Sequence, residues 1–396
     1  MIRPLTAMWI VLTKEVGENL RDRRTVVNAL IVGPLLMPVL FALMFNLVVG
    51  KELERMEQPI QVVILGQEHA PNLLRYLAER EVTPKQNAPA DPEAAIRNQN
   101  EDAIIRITPE FADDWRAGRP ASVELLHDST RRFSSTTVRR IEGLLRAYGD
   151  TVGRLRLIAR GIHPEVIQPL RVVERDLSTP KNRAAVILMM LPYLLIIGAF
   201  TGGMYLAIDT TAGERERQSL EPLLINAVPR AAILAGKLAA TTTFAILSLT
   251  LTLIAFSIVF PLIHVERLGI ELRLDAKTVL LLLACIAPLA FFASALQTLI
   301  AAFSKSFREV QTWLGLFLLL PMIPSLVLML NPTKPAAWMY ATPLVSQQTV
   351  INQLTRGESV LTWQYLASIG VTFVAGVVVA LLAVRVYHSE RLAVSA

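Results

Sequence analysis

The stretch Thr210–Lys237, TTAGERERQSLEPLLINAVPRAAILAGK, lies between two long apolar runs and carries the densest cluster of Glu and Arg near any of them. A transmembrane hairpin needs only a tight turn, so a connection this long has another use. Asp209 to Gln218 reads as a helix that continues below the preceding run, with Glu214–Gln218 and Arg217–Glu221 at i, i+4 spacing. Glu221-Pro222 then starts a second, short helix, Leu223, Leu224 and Ile225 give it an apolar face, and Val228-Pro229 ends it. Leucines beside charges on a short helix suit either a docking surface for a soluble partner or a self-packed amphipathic loop. Spacing alone leaves both open.

The flanking runs define the fold class. The chain has 396 residues, 53% of them hydrophobic, and a mean hydropathy of +0.45. Six runs are long enough to cross a bilayer, which takes about 20 apolar residues: residues 26–49, 184–208, 232–260, 278–303, 312–330 and 363–386. A cleaved signal peptide is the rival reading of the first, but the run is long and no A-x-A-like site follows it. The expected fold is an α-helical polytopic membrane protein with six transmembrane helices and an α/β domain inserted between the first two. Pro34, Pro38, Pro192, Pro288, Pro321 and Pro324 fall within the runs and predict kinks.

Basic residues give the orientation. Thirteen fall on one side: Arg3, Lys14, Arg21, Arg23 and Arg24; Arg215, Arg217, Arg230 and Lys237; Lys305 and Arg308; Arg385 and Arg391. Five fall on the other: Arg267, Arg273, Lys277, Lys334 and Arg356. The expected location is the cell (inner) membrane, and the positive-inside rule puts both termini in the cytoplasm. Residues 50–183 would then be extracytoplasmic, 209–231 a cytoplasmic loop, and 331–361 an outer loop.

Residues 1–25 read as an amphipathic interfacial helix, with Leu5, Trp9, Leu12, Val16 and Leu20 at helical spacing. Packing on the protein's own surface fits the same pattern. In the 50–183 block, strands are expected over 60–65, 103–107, 123–126 and 170–173, and helices over 71–81, 92–100, 109–117 and 133–160. That alternation suggests a small α/β domain, whose role stays open.

Several chemistries are missing from the sequence. There is no P-loop G-x-x-x-x-G-K-[ST], no H-E-x-x-H and no G-x-S-x-G. The five histidines, His69, His127, His163, His264 and His388, have no metal-ligand spacing, and the single Cys285 excludes an internal disulfide. No basic stripe interleaved with aromatics points to nucleic acid. The chain thus reads as a non-catalytic subunit, without a cofactor of its own. The spans carry no mid-membrane carboxylate, which weighs against a secondary transporter. A membrane-anchored receptor is the other alternative, but no cytoplasmic segment is large enough for an output module. Asn46, Thr201, Thr242, Gln297 and Thr298 are polar and uncharged within the spans. They suit a substrate pathway or hydrogen bonds that hold helices together.

The segment GERERQSLEPLLINAVPRAAILAGK resembles the signature of ABC-2 type permeases, exporters driven by a separate ATPase subunit. The resemblance is carried by Glu214, Arg215, Glu216, Ser219, Leu220, Glu221, Leu223, Leu224, Gly236 and Lys237, with Gln218 where the family often has Gly. VLTKEVGENLRDRRT is similar to the family's elbow helix, and AIIRITPEFADDWRAGRPASVELLHD to the outer domain of its NatB-type branch. ATPLVSQQTVINQLTRGES is similar to its short outer helices. The resemblance implies a type V exporter fold and a dimer with a second copy or a paralogue. It implies an ABC ATPase partner that binds ATP and Mg. It also implies that Glu214, Arg215, Glu216, Arg217, Gln218, Ser219, Leu220, Glu221, Pro222, Leu223 and Leu224 form the coupling element. Family members export sodium, drugs, peptides, polysaccharides or lipids, so the substrate stays undecided.

Overall fold

The computed structural model describes residues 3–130, 135–167, 170, 173, 175, 184, 187–219, 228–263, 270, 272–304, 306–330 and 333–388. The chain divides into two compact units, Met1–Leu47 with Leu177–Ala396, and Val48–Asp176.

Helix α1 (Pro4–Arg21) begins the first unit, with Pro4 in its first turn. Six helices among the described residues are long and apolar enough to cross a membrane. They are span 1 (Val26–Lys51), span 2 (Leu188–Glu216), span 3 (Arg230–Leu262), span 4 (Ala276–Phe303), span 5 (Phe307–Leu328) and span 6 (Thr362–Tyr387). Spans 2, 3 and 4 bury most surface within the unit, while spans 1, 5 and 6 keep most of theirs outward. Small residues let the inner helices approach. A Cβ on Gly202 would lie 2.8 Å from Ser248 Cβ, and one on Gly203 2.9 Å from the Thr241 carbonyl oxygen. Spans 2 and 3 therefore meet nearly backbone to backbone, the arrangement that drives helix association where the solvent is itself apolar. Phe41 of span 1 packs on Phe256 and Phe260 of span 3, with ring centroids 5.9 and 5.8 Å apart.

Three spans depart from the sequence expectation in their course or their ends. Span 1 enters through a π-helical stretch, Val26–Val32, before its α-helix begins at Gly33. Span 2 runs past residue 208 to Glu216, through π-helical Asp209–Gly213. Span 5 begins at Phe307 rather than 312, because the Ser306 hydroxyl accepts from the Glu309 amide at 3.3 Å and caps it. Span 5 also breaks after Phe317 and resumes at Met322. Pro321, in that break, has no N–H to continue the ladder.

The second unit holds a four-stranded sheet in the order β2-β1-β3-β4: β1 (Ile60–Leu65), β2 (Val82–Pro84), β3 (Ala103–Ile107) and β4 (Val123–His127). β1 is parallel to β2 and β3, and β4 is antiparallel to β3. Helices α2 (Pro71–Ala78), α3 (Pro92–Arg97), α4 (Phe111–Arg116) and α5 (Ser135–Ala159) accompany it. Val62, Ile64, Ile105 and Ile107 face one core with Leu73, Leu77 and Ile141, while Val63 and Ile104 face another with Ala95 and Ile96. Cover on both faces explains why β1 and β3 read as nearly unbroken apolar runs. Asp91 caps α3, accepting from the Glu93 and Ala94 amides at 3.0 Å each. β2 was not expected: three residues ending in Pro are too short for a pattern. Pro109 lies before α4 rather than in its first turn. Of the strand expected over 170–173, Leu170 and Val173 are described and neither is in a strand; 171 and 172 lie outside the described residues.

After span 5, α6 (Ala337–Tyr340) and α7 (Val345–Thr355) precede span 6. α7 is buried although its sequence is polar, because Gln347 Nε2 donates to Thr372 Oγ1 of span 6 at 2.6 Å and Gln348 Nε2 to the Ser325 carbonyl of span 5 at 3.2 Å.

Candidate coupling site

The helix of span 2 ends at Glu216, and the charged motif forms its last turn. The Gln218 amide donates to the Arg215 carbonyl at 3.0 Å and the Ser219 amide to the Glu214 carbonyl at 2.9 Å. Gln218 has φ 57°, so these bonds complete a Schellman cap with a non-glycine residue in the left-handed position. Glycine would be the unstrained choice there. The helix thus stops before Gln218, and the expected Glu214–Gln218 pairing is replaced by contacts across the fold.

Each charged side chain of the motif goes to a different element. Glu214 ion-pairs with Lys237 near the start of span 3. Arg215 forks onto the carbonyls of Ser304 and Ala302, at 2.8 and 3.0 Å, at the C-terminus of span 4. Glu216 accepts from the Phe307 amide at 2.9 Å, at the N-terminus of span 5. Arg217 turns back to Asp209 at 2.9 Å. A cation meets the negative end of one helix and an anion the positive end of the next, the pairing that the peptide dipoles favour. Four consecutive residues thereby link spans 2, 3, 4 and 5.

Lys237 is 1% exposed, and its ammonium also donates to the Thr210 carbonyl at 2.6 Å. A buried ammonium persists only when paired and hydrogen-bonded. Helix α1 supplies a second carboxylate, Glu15, which is 3% exposed and within electrostatic reach of Lys237. Burial pushes the Glu15 carboxyl above the ordinary carboxylate range, and Lys237 and Lys14 only partly oppose it. Gly236 makes the approach possible: a Cβ there would lie 2.7 Å from Val11 Cβ and 2.8 Å from the Met8 carbonyl oxygen. The Gly-Lys that closes the motif is therefore a packing residue and an ion-pair partner. Sequence reasoning missed Glu15. It followed the apolar stripe of α1, whereas the buried face also carries Ala7, Glu15 and Asn19. Leu12 and Val16 pack against the unit, and Leu5 and Trp9 are exposed.

Leu220, Glu221, Pro222, Leu223 and Leu224 lie outside the described residues. The five polar span residues do not converge on one chamber. Asn46 Nδ2 donates to the Leu262 carbonyl at 3.4 Å on an exposed surface, and Thr201 is exposed with its hydroxyl on the Ile197 carbonyl. Thr242 lines a largely apolar cleft between spans 3, 4 and 6. Gln297 and Thr298 are buried, with Gln297 Nε2 donating to the Phe200 carbonyl of span 2. Their hydrogen bonds run between and within helices.

The family model for the ABC-2 family transporter protein matches residues 25–385. The chain belongs to the ABC-2 transporter family. Within it, the chain is 27% identical over 321 residues to the ABC transporter permease protein NatB of Bacillus subtilis (strain 168), covering 78% of this chain and 80% of that protein. As an ABC-2 family member with six membrane-spanning helices, it is a multi-pass membrane subunit of the permease type. The matched region contains all four charged motif residues, Gly236 and Lys237, whereas Glu15 precedes it.

Proposed function

We propose that this permease exports its substrate, driven by ATP hydrolysis on a separate ABC ATPase that binds ATP and Mg, and that it works as a dimer with a type V arrangement. Both termini and the 214–224 segment face the cytoplasm, and residues 50–183 face outward. The observation that carries this reading is the fan of Glu214, Arg215 and Glu216 onto spans 3, 4 and 5. A push on the segment that follows Ser219 would reach four spans through one helical turn, without passing through a flexible loop. Glu15 extends the same connection to α1. ATP binding would act through contacts that differ between two states of this cluster. The name of the similar protein, an ABC transporter permease, supports the permease role. It leaves the substrate open.

The orientation is tested with an impermeant maleimide on intact cells. Cys285 is buried and stays silent. Asn87→Cys, on an exposed position of the second unit, is expected to label from outside. Gln218→Cys is expected to label only after permeabilisation. The reverse pattern overturns the orientation.

A further inference from the structure

A cleft of about 500 Å³ lies between spans 3 and 6, with one ring of span 4 in its wall. Span 3 contributes Ala235, Ala239 and Thr242, which recur at i, i+4 and i+7 and so share one face of the helix. Span 6 contributes Val377, Ala380 and Val384. Phe291 of span 4 completes the wall, and its ring is fixed there. It stacks on Phe373 of span 6 with centroids 5.4 Å apart, and a Cβ on Gly376 would lie 2.6 Å from it. Spans 3 and 6 run antiparallel from a common end, where Leu234 packs with Ala383 and Tyr387 and Arg230 donates to the Tyr387 carbonyl at 3.5 Å. At about 1.5 Å per residue, the wall rises about 12 Å from Leu234 to Thr242 and about 10 Å from Val384 to Val377. The cleft is therefore long and narrow, parallel to the helices, and nearly as deep as one half of a bilayer core of about 30 Å.

We propose that this cleft holds one acyl chain of a bilayer lipid, drawn from the leaflet at the Leu234 and Val384 end. Among the ten described residues that line it, Thr242 alone has a polar side chain, and its hydroxyl donates to the Leu238 carbonyl at 2.8 Å. Nothing in that wall replaces the hydration of a polar ligand, and an apolar cavity stays dry. Leu381, at the lip, is 59% exposed, so the cleft opens sideways onto the face of span 6 that meets lipid. A volume of about 500 Å³ over about 12 Å leaves a cross-section of roughly 40 Å², which admits a hydrocarbon chain but not a helix about 10–12 Å across. A stable contact with a second copy also takes about 20–30 residues on each side, against ten here. The chain lies along the helices, with its carboxyl end at Leu234 and Val384 and its deeper methylenes at Thr242 and Val377. Recognition is by the chain alone, so lipids with different headgroups are held alike. Leu234 and Leu238 flank Gly236 and Lys237, which face α1 and span 2. The acyl chain thus braces span 3 from the side opposite the charged turn.

The test uses the full chain in phosphatidylcholine nanodiscs. They contain a trace of phosphatidylcholine with a photoreactive diazirine in one acyl chain, placed either near its carboxyl end or deeper. Labelled residues are mapped by mass spectrometry. In the wild type the first probe is expected to label Leu234 and Val384, and the second Thr242 and Val377. Ala239→Trp fills the cleft and is expected to lose that labelling, while Val374 and Val378, exposed on the outer face of span 6, keep theirs. Probes with a phosphatidylglycerol headgroup are expected to give the same pattern. Undiminished labelling of the four lining residues in Ala239→Trp overturns the site, and so does wild-type labelling that ignores the depth of the diazirine. If Ala239→Trp does not fold, Val377→Trp decides from the opposite wall, and the wild-type depth pattern needs no variant. Labelling present in the monomer and lost in a dimer assigns the cleft to a second copy and overturns the lipid. A pattern seen with one headgroup only overturns recognition by the chain. None of these outcomes depends on an ATPase, so they are separate from the exporter proposal.

Discussion

Lys237 shows how a residue can be read correctly by composition and still be misjudged. Its charge counts toward the positive-inside tally, yet the ammonium is buried and fixed by Glu214 and the Thr210 carbonyl. Removing one member of a buried pair strands the other, at a cost of about 3–5 kcal/mol. Lys237→Met is therefore expected to lower the melting temperature of the purified protein sharply. Glu214→Gln combined with Lys237→Met is expected to restore most of the loss. A double variant no more stable than Lys237→Met would show that the pair does not act as one. Glu15 gives a pH signature. Its carboxyl is raised by burial, so the folded protein holds that proton more tightly than the unfolded chain does. The associated stability is complete below the ordinary carboxylate pKa and is lost as pH rises through the raised value. Melting temperatures measured across that window should fall with pH in the wild type and fall less in Glu15→Gln; equal slopes would remove Glu15 from the account. At Gln218, with φ 57°, substitution by Gly relieves strain of roughly 1 kcal/mol and should raise stability or leave it unchanged.

At the scale of elements, the long apolar runs made the six spans and their order legible without coordinates. What periodicity could not convey was where charged residues extend or cap a helix. Span 2 continues to Glu216 because its last turn bonds to three other spans, and span 5 starts at Phe307 because Ser306 and Glu216 satisfy its first amides. Those partners lie far away in sequence. The same holds for β2, a three-residue strand defined only by pairing with β1. The candidate site was legible as a motif but not as a geometry: Gly236 and Lys237 matched a family pattern, while their packing and pairing needed the fold. Gly236→Val tests the element contact. Its side chain would collide with Val11 and with the Met8 carbonyl oxygen, so α1 must move. A cysteine pair joining α1 to span 3 should crosslink less efficiently in that variant; undiminished crosslinking would show that the close approach is dispensable.

On the scale of the molecule, the charged last turn of span 2 is a junction on which spans 3, 4 and 5 converge, with α1 packed beside it. A chain with no P-loop in its sequence needs such a junction if another protein supplies the energy. The most direct measurement is ATP hydrolysis by the full chain in lipid nanodiscs, alone and in complex with the ABC ATPase proposed to drive it. The prediction is no hydrolysis by the chain alone and substrate-stimulated hydrolysis by the complex. Leu223→Ala with Leu224→Ala should reduce that stimulation by about tenfold or more, while membrane insertion and yield stay at wild-type levels. Undiminished stimulation in that variant, at wild-type yield, would contradict the account.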